Sequence, residues 1–111
     1  MLLFKPEHVP LILEKTKTET RRIWKKRRCK PGSIHKAKTQ MLSKEYFAKL
    51  KILDCYKEEF HCITEEGAKA EGGYNRASYI EKFFEINLKI SKLTTHGKIP
   101  FNVWVVKFEL V

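Results

Sequence analysis

The segment 15–30 holds most of the positive charge of this chain, and that concentration limits where the segment can lie in a fold. It contains nine of the 23 Lys and Arg residues against a single acid, Glu19, and so carries +8 of the formal net charge of +10. The other 95 residues, with 14 basic and 12 acidic side chains, are almost balanced. Charge gathered in one stretch creates a local positive potential that attracts phosphates, whereas the alternative is a solvated charged loop.

The rest of the chain has the composition of a folded scaffold. Of its 111 residues, 42% are hydrophobic and 12% aromatic, with five Gly and four Pro, which is typical of a globular protein and not of a disordered basic tail. This length suits one hydrophobic core, so we predict a single domain over 1–111 without a linker.

Targeting and cysteine patterns indicate a reduced, cytoplasmic protein with no membrane partner. The stretch Met1–Pro6 lacks the features of a signal peptide, and no apolar run reaches membrane-spanning length. The three cysteines, odd in number and irregularly spaced, do not form a disulfide framework. Cys55, His61 and Cys62 match no zinc signature, so we predict no metal site and no cofactor.

Hydrophobic periodicity predicts short strands interrupted by helices. A strand over Leu2–Phe4 precedes a short helix whose apolar residues are Val9, Ile12 and Leu13. Alternation over Lys17–Trp24 predicts a strand with two faces. One face carries Thr18, Thr20, Arg22 and Trp24, and the other carries Lys17, Glu19, Arg21 and Ile23.

The second half of the chain continues this alternation of strands and helices. A turn at Pro31-Gly32 is followed by predicted strands over Ile34–Thr39 and Phe47–Cys55. A first helix is capped by Thr64 and ended by Gly72-Gly73, and a second begins near Asn75 with the apolar stripe Ile80, Phe83, Phe84 and Leu88. The last predicted strand has the apolar face Trp104, Val106, Phe108 and Leu110. This pattern favours a mainly β fold with inserted helices, a small mixed or closed barrel, over a parallel α/β sheet.

An ordered set of short motifs extends over most of the chain. The motifs are Phe4-Lys5, Lys17-Thr18-Glu19-Thr20-Arg21-Arg22, Pro31-Gly32, Ile63-Thr64-Glu65-Glu66, Ala68-Lys69-Ala70-Glu71-Gly72 and Val103-Trp104-Val105-Val106-Lys107-Phe108. In this order and spacing they resemble the ASCH domain family. The resemblance implies a PUA-like small β-barrel and an RNA-related role through a cleft beside the barrel.

The resemblance also implies a candidate catalytic site. A small bacterial enzyme of the family deacetylates N4-acetylcytidine with a lysine, a threonine three residues later and a distant glutamate, which fall here on Lys17, Thr20 and Glu71. The lysine would take the threonine proton, the hydroxyl would attack the amide carbonyl, and the glutamate would manage protons at the leaving amine. Simpler roles are phosphate contact for Lys17, strand formation for Thr20, and a salt bridge from Glu71 to Arg21 or Arg22.

The basic segment favours a polynucleotide over a neutral nucleoside. The predicted phosphate contacts are Arg21, Arg22, Lys25, Lys26, Arg27 and Arg28. Trp24 or Tyr74 would stack on an unpaired base, although a core position is the alternative for Trp24. The scattered histidines receive no catalytic role.

RNA or single-stranded nucleic acid is therefore the predicted partner. The alternatives are an amidohydrolase acting on N4-acetylcytidine or a related modified nucleoside, and an interaction module that binds acidic proteins. The amidohydrolase requires Lys17, Thr20 and Glu71 to converge in one pocket, whereas the interaction module does not.

Overall fold

A five-stranded sheet with three helices forms the fold, and the computed structural model describes residues 1–87 and 102–111. The strands are β1 (Leu2–Leu3), β2 (Glu19–Arg22), β3 (Ile34–Lys38), β4 (Ala48–Glu59) and β5 (Asn102–Leu110). The helices are α1 (Val9–Leu13), α2 (Glu65–Ala70) and α3 (Arg76–Ile86), with 3-10 turns at Pro6–His8 and Phe60–Cys62. None of the helices in these two ranges is both long and apolar enough to cross a membrane.

The strand order is β1-β3-β4-β5-β2, which forms a half-barrel with β1 and β2 at its two edges. The β1–β3 pair is parallel, and the other three pairs are antiparallel. The central strand β4 has a register shift between Ile52 and Asp54, after which Cys55 pairs with Val106. Such a bulge bends a strand and increases its twist, which suits the curvature of a barrel wall.

The strand β5 is buried on both faces, although its sequence predicted one strongly apolar face. Val106 and Phe108 belong to one core cluster, together with residues of β1 and β4. Val103 and Val105 belong to a second cluster formed with the helical segments. Helix α3 covers the second face, and it brings Phe83 of the predicted apolar stripe and also Tyr79 into that cluster.

The predicted helix boundaries are confirmed in α2 and α3. The Thr64 hydroxyl accepts a hydrogen bond from the Gly67 amide at 3.0 Å, which satisfies a donor at the start of α2. Asn75 caps α3 in a reciprocal capping box with Ser78. Gly72 and Gly73 follow α2 with φ of +147° and +85°, conformations that favour glycine. Leu88, predicted for the apolar stripe, lies outside the described residues.

The predicted strands are present with different lengths. The strand predicted over Lys17–Trp24 is shortened to β2, while the one predicted over Phe47–Cys55 extends to Glu59. The Phe108 amide still donates to the Thr18 carbonyl at 3.0 Å, so pairing with β5 begins just before β2. This contact holds the start of the basic segment against the sheet.

Candidate functional site

A pocket of about 350 Å³ lies where edge strands β1 and β2 meet the helical segments. It is lined by Leu3, Phe4, Lys5, His8, Lys17, Thr20, Arg21, Arg22, Ile23, Thr39, Glu71, Phe83, Ile86 and Asn87. The set includes all three predicted catalytic residues and two of the predicted phosphate contacts. Three of its polar residues, Thr20, Arg21 and Arg22, come from β2, and its apolar residues come mostly from the edge of β1 and from α3.

Glu71 is the centre of a buried ion-pair cluster in this pocket. Its carboxylate accepts from Lys17 Nζ at 2.9 Å through Oε1 and from Arg21 Nη1 at 2.8 Å through Oε2. The Lys17 ammonium also donates to the Glu71 carbonyl at 2.8 Å. The residue is 1% exposed, although it follows directly on the last turn of α2. The Thr18 amide donates to the Ala70 carbonyl at 2.7 Å, and this bond fixes the approach of β2 to the helix end.

Arg21 is surrounded by acidic side chains. Besides Glu71, it forms ion pairs of 3.3 Å with Glu19 and Glu58. Burial alone would lower the pKa of Arg21, but Glu71 and Glu58 outweigh that effect and raise it. The alternative predicted from sequence, a salt bridge from Glu71 to Arg21, is therefore present.

Burial lowers the pKa of the Lys17 ammonium, and the neighbouring Glu71 carboxylate opposes that change. Lys17 is 3% exposed, so desolvation is the larger effect. A lysine in this environment loses its proton more readily than a solvated one.

Thr20 and Arg22 lie on the opposite face of β2, as the alternation predicted. The Thr20 hydroxyl accepts a hydrogen bond from Arg22 Nε at 3.0 Å and is almost completely buried. Among the described residues no hydrogen bond joins Thr20 to Lys17, whose ammonium donates to two oxygens of Glu71. The predicted trio thus lines one pocket, with direct contact between Lys17 and Glu71.

His8 lines the pocket as well, although no sequence pattern selected it. Its Nε2 lies 3.4 Å from the Tyr74 hydroxyl, and the residue is 7% exposed. Burial, followed by the nearby positive charge of Lys17, lowers the pKa of His8 to about 4. The residue precedes the first helical turn of α1 and belongs to no recognisable motif, so only the tertiary structure reveals its place.

Four exposed cations begin two residues after Ile23 of the pocket wall. They are Lys25, Lys26, Arg27 and Arg28. The Arg27 side chain lies over the Trp104 ring at 5.9 Å and donates to the Cys55 carbonyl at 3.3 Å. These contacts hold part of the basic segment against β4 and β5.

Trp24, predicted either to stack on a base or to lie in the core, is partly exposed and partly buried. It is partly buried against the core, and its carbonyl accepts from Trp104 Nε1 at 3.2 Å. The Arg28 guanidinium lies 5.8 Å from the centre of its ring. Tyr74, the other predicted stacking residue, is partly buried and packs against Tyr79 at a centroid distance of 5.8 Å.

Cys55, His61 and Cys62, which the sequence analysis considered as one set of metal ligands, do not lie together in the structure. Cys55 is buried in the core at 2% exposure, away from the exposed Cys62. His61 and Cys62 instead lie beside Glu59, and the possible ligand atoms of these three exposed residues are within 4.8 Å of one another. His61 Nε2 is 3.2 Å from a Glu59 carboxylate oxygen, so a direct contact with Glu59 explains the grouping.

Solved structures of other proteins share this fold. The chain is similar to an ASCH domain from Lactobacillus crispatus JV V101, with a TM-score of 0.70 and 14% identity over 92% of this chain and 69% of that one. It is also similar to protein EF3133 of Enterococcus faecalis V583, from the DUF984 family, with a TM-score of 0.74 and 15% identity over 95% of this chain and 67% of that one. No protein-family model matches the chain, and no curated protein does.

These similarities confirm the predicted fold class. The chain has an ASCH-like domain fold, a small mainly β half-barrel with inserted helices. At these identities the likeness concerns the fold, and a function has to be argued from the site itself.

Proposed function

We propose that this protein binds RNA or single-stranded nucleic acid through the pocket and the exposed basic segment 25–28. The observation that carries the proposal is that exposed cations follow the pocket-lining residues closely in the chain. Arg22 and Ile23 line the pocket, and the exposed cations begin at Lys25. ASCH-like folds fit an RNA-related role in general, which supports the same reading.

The charges of the two surfaces differ in a way that supports this proposal. In the pocket, Glu71 offsets the charge of Lys17 and contributes to the acidic surroundings of Arg21. Among the described residues, none of the four segment cations forms an ion pair with a carboxylate. Phosphates can therefore approach the segment without displacing an acidic partner, and they release counterions as they bind.

Binding of a single-stranded oligonucleotide, followed by fluorescence anisotropy over a range of salt concentrations, tests the proposal. Reversal of two charges by Arg27→Glu with Arg28→Glu should weaken affinity and reduce the slope of log K against log salt by about 1.4, because two fewer phosphates are neutralised. The control is Lys44→Glu with Lys51→Glu, which makes the same change in net charge at exposed positions outside the segment and the pocket lining.

Equal losses in both double variants would contradict a local site. An acidic peptide that competes with RNA at equal concentration would favour the interaction-module alternative instead. Affinity and slope that stay unchanged in the Arg27 and Arg28 variant would exclude the basic segment from binding.

A second candidate function, hydrolysis of an acetylated amide such as N4-acetylcytidine, is favoured by the buried Lys17–Glu71 contact beside Thr20. In this reaction the Thr20 oxygen forms a bond to the acyl carbon as its proton passes to a neutral Lys17. The C–N bond then breaks, and the amine leaves with a proton supplied by the site. Water hydrolyses the acyl-threonine, which releases acetate and restores the hydroxyl.

Acetate release from N4-acetylcytidine tests this second function. Wild type should release acetate, Thr20→Ala should not, and Thr20→Ser should retain activity because it keeps the hydroxyl. Glu71→Gln is informative only if circular dichroism shows that it folds. Absence of turnover in wild type, or equal turnover in Thr20→Ala, would exclude Thr20 as a nucleophile.

A further inference from the structure

Two neighbouring arginines in the pocket have opposite electrostatic surroundings. Arg21 forms ion pairs with Glu19, Glu58 and Glu71, at 2.8 to 3.3 Å. Arg22 forms no ion pair within the part of the chain that the structure describes. Strand alternation causes the difference, because it directs Arg22 away from the acidic cluster on the other face of β2.

Arg22 is nevertheless held firmly by neutral groups. Its Nε donates to Thr20 Oγ1, and its Nη2 donates to the Leu3 carbonyl across the gap between β2 and β1. Its guanidinium carbon lies 4.8 Å from the centre of the Phe4 ring. These contacts fix the orientation of a charge without neutralising it, and burial lowers the pKa of Arg22.

We infer that Arg22, together with Lys5 at the pocket edge, binds a phosphate group, so that the pocket takes a nucleotide and not a neutral nucleoside. The inference rests on the proposed function and names the ligand class of that site. A guanidinium has five N–H donors, of which the two described bonds use two. The remaining donors suit the paired oxygens of a phosphate.

The rest of the pocket agrees with this ligand. Lys5 is exposed and, like Arg22, forms no ion pair with a described carboxylate. Apolar side chains on the wall that are not fully buried, among them Ile23 and Ile86, offer a surface for a base. A volume of about 350 Å³ is at the lower end of the range for small-molecule sites, which suits one nucleotide.

The wild-type protein alone gives a first test. Titration calorimetry compares each of the four common ribonucleosides with its 5′-monophosphate and with the dinucleotide that contains only a bridging phosphate. At least one nucleotide should bind about tenfold or more tightly than its nucleoside, since hydrogen bonds to charged groups are the strong ones. Preference for the monophosphate indicates a terminal phosphate, and preference for the dinucleotide indicates a strand. Equal affinity for nucleoside and both phosphates would overturn the inference.

Variants then locate the phosphate. Arg22→Gln and Lys5→Gln should each reduce the nucleotide's advantage, and Lys44→Gln, which removes an exposed cation outside the pocket lining and the basic segment, should leave it unchanged. Lys5 is exposed, so its variant is informative even if Arg22→Gln fails to fold. An unchanged advantage in Lys5→Gln and in a folded Arg22→Gln would also overturn the inference.

The oligonucleotide experiment separates failure of this inference from failure of the proposed function. If a long oligonucleotide binds with the expected salt dependence while nucleosides and nucleotides bind equally, only the phosphate site is lost. If neither binds, the proposed function fails.

Discussion

At the scale of single residues, Glu71 is the most constrained side chain of the site. Its two carboxylate oxygens accept from Lys17 and Arg21, and the side chains of all three are at most 3% exposed. A buried carboxylate is tolerated when its charge is paired and its oxygens are hydrogen-bonded, and both conditions hold here. The same cluster positions Lys17 in the pocket wall, so stability and the proton transfer of the second proposed function depend on one group.

Glu71→Gln should destabilise the protein by about 3 to 5 kcal/mol, because it leaves Lys17 and Arg21 as buried cations without their shared acid. Lys17→Met is the matched control, and its loss should be at least about 1 kcal/mol smaller since Glu71 keeps Arg21. Urea unfolding at neutral pH measures both. An equal or smaller loss in Glu71→Gln would contradict the described ion pairs.

The buried imidazole of His8 should make the protein sensitive to mild acid. Burial lowers the pKa of His8 from 6.5 to about 4, so the unfolded chain takes up this proton at a higher pH than the folded one. The neutral imidazole therefore contributes stability that is fully present above pH 6.5 and is lost as pH falls toward 4. The loss attributable to His8 should reach about 2 to 3 kcal/mol between neutral pH and pH 4.5.

Urea unfolding across this pH range, in wild type and His8→Gln, isolates the effect because glutamine does not titrate. The difference in unfolding free energy between the two proteins should shrink steadily as pH falls. A difference that is constant from neutral pH to pH 4.5 would show that His8 is not buried as described.

At the scale of secondary-structure elements, the short helix α2 carries Glu71 to the site. Thr64 caps its start, and its middle residue Gly67 is buried against β2. An added Cβ at Gly67 would lie 2.8 Å from Arg21 Nη2, which is too close. Glycine at this position therefore permits α2 to lie close to the Arg21 guanidinium, which forms ion pairs with Glu71 and two other acidic side chains.

Gly67→Ala should destabilise the protein by up to about 2 kcal/mol, although alanine is normally the better helix former by about 1 kcal/mol. The cause is displacement of the Arg21 guanidinium, which forms ion pairs with three carboxylates and so has little freedom to move. In an Arg21→Met background the same substitution should become neutral or stabilising. Thermal unfolding of the four proteins in this cycle measures the coupling, and additive effects would contradict the close contact.

Sequence patterns predicted most elements because those elements depend on local chemistry. The caps at Thr64 and Asn75 and the alternation of β5 are set by neighbouring residues. The extension of β4 to Glu59 was missed because Lys57, Glu58 and Glu59 are three consecutive charged residues, which show no apolar alternation and depend on pairing with β5. Long-range packing, which no local pattern encodes, also decided the burial of His8 and the ion pair between Arg21 and Glu58.

At the scale of the whole molecule, the half-barrel organises charge into two kinds of surface. The face of β2 toward α2 gathers Lys17, Arg21 and their acidic partners into a nearly compensated buried cluster. The opposite face and the following segment present Arg22 and the exposed cations without such partners in the described structure. The scaffold thus separates charge that stabilises the fold from charge available to a ligand.

A titration followed by two-dimensional amide NMR tests the central claim, that pocket and basic segment form one nucleic-acid site. A short single-stranded RNA is added to the labelled protein, and the amides of Thr20–Ile23, Glu71 and Lys25–Arg28 are followed. All of them should shift along one binding curve, while exposed positions such as Lys44 and Lys51 should not. Shifts confined to the segment, or two curves with different midpoints, would contradict a single continuous site.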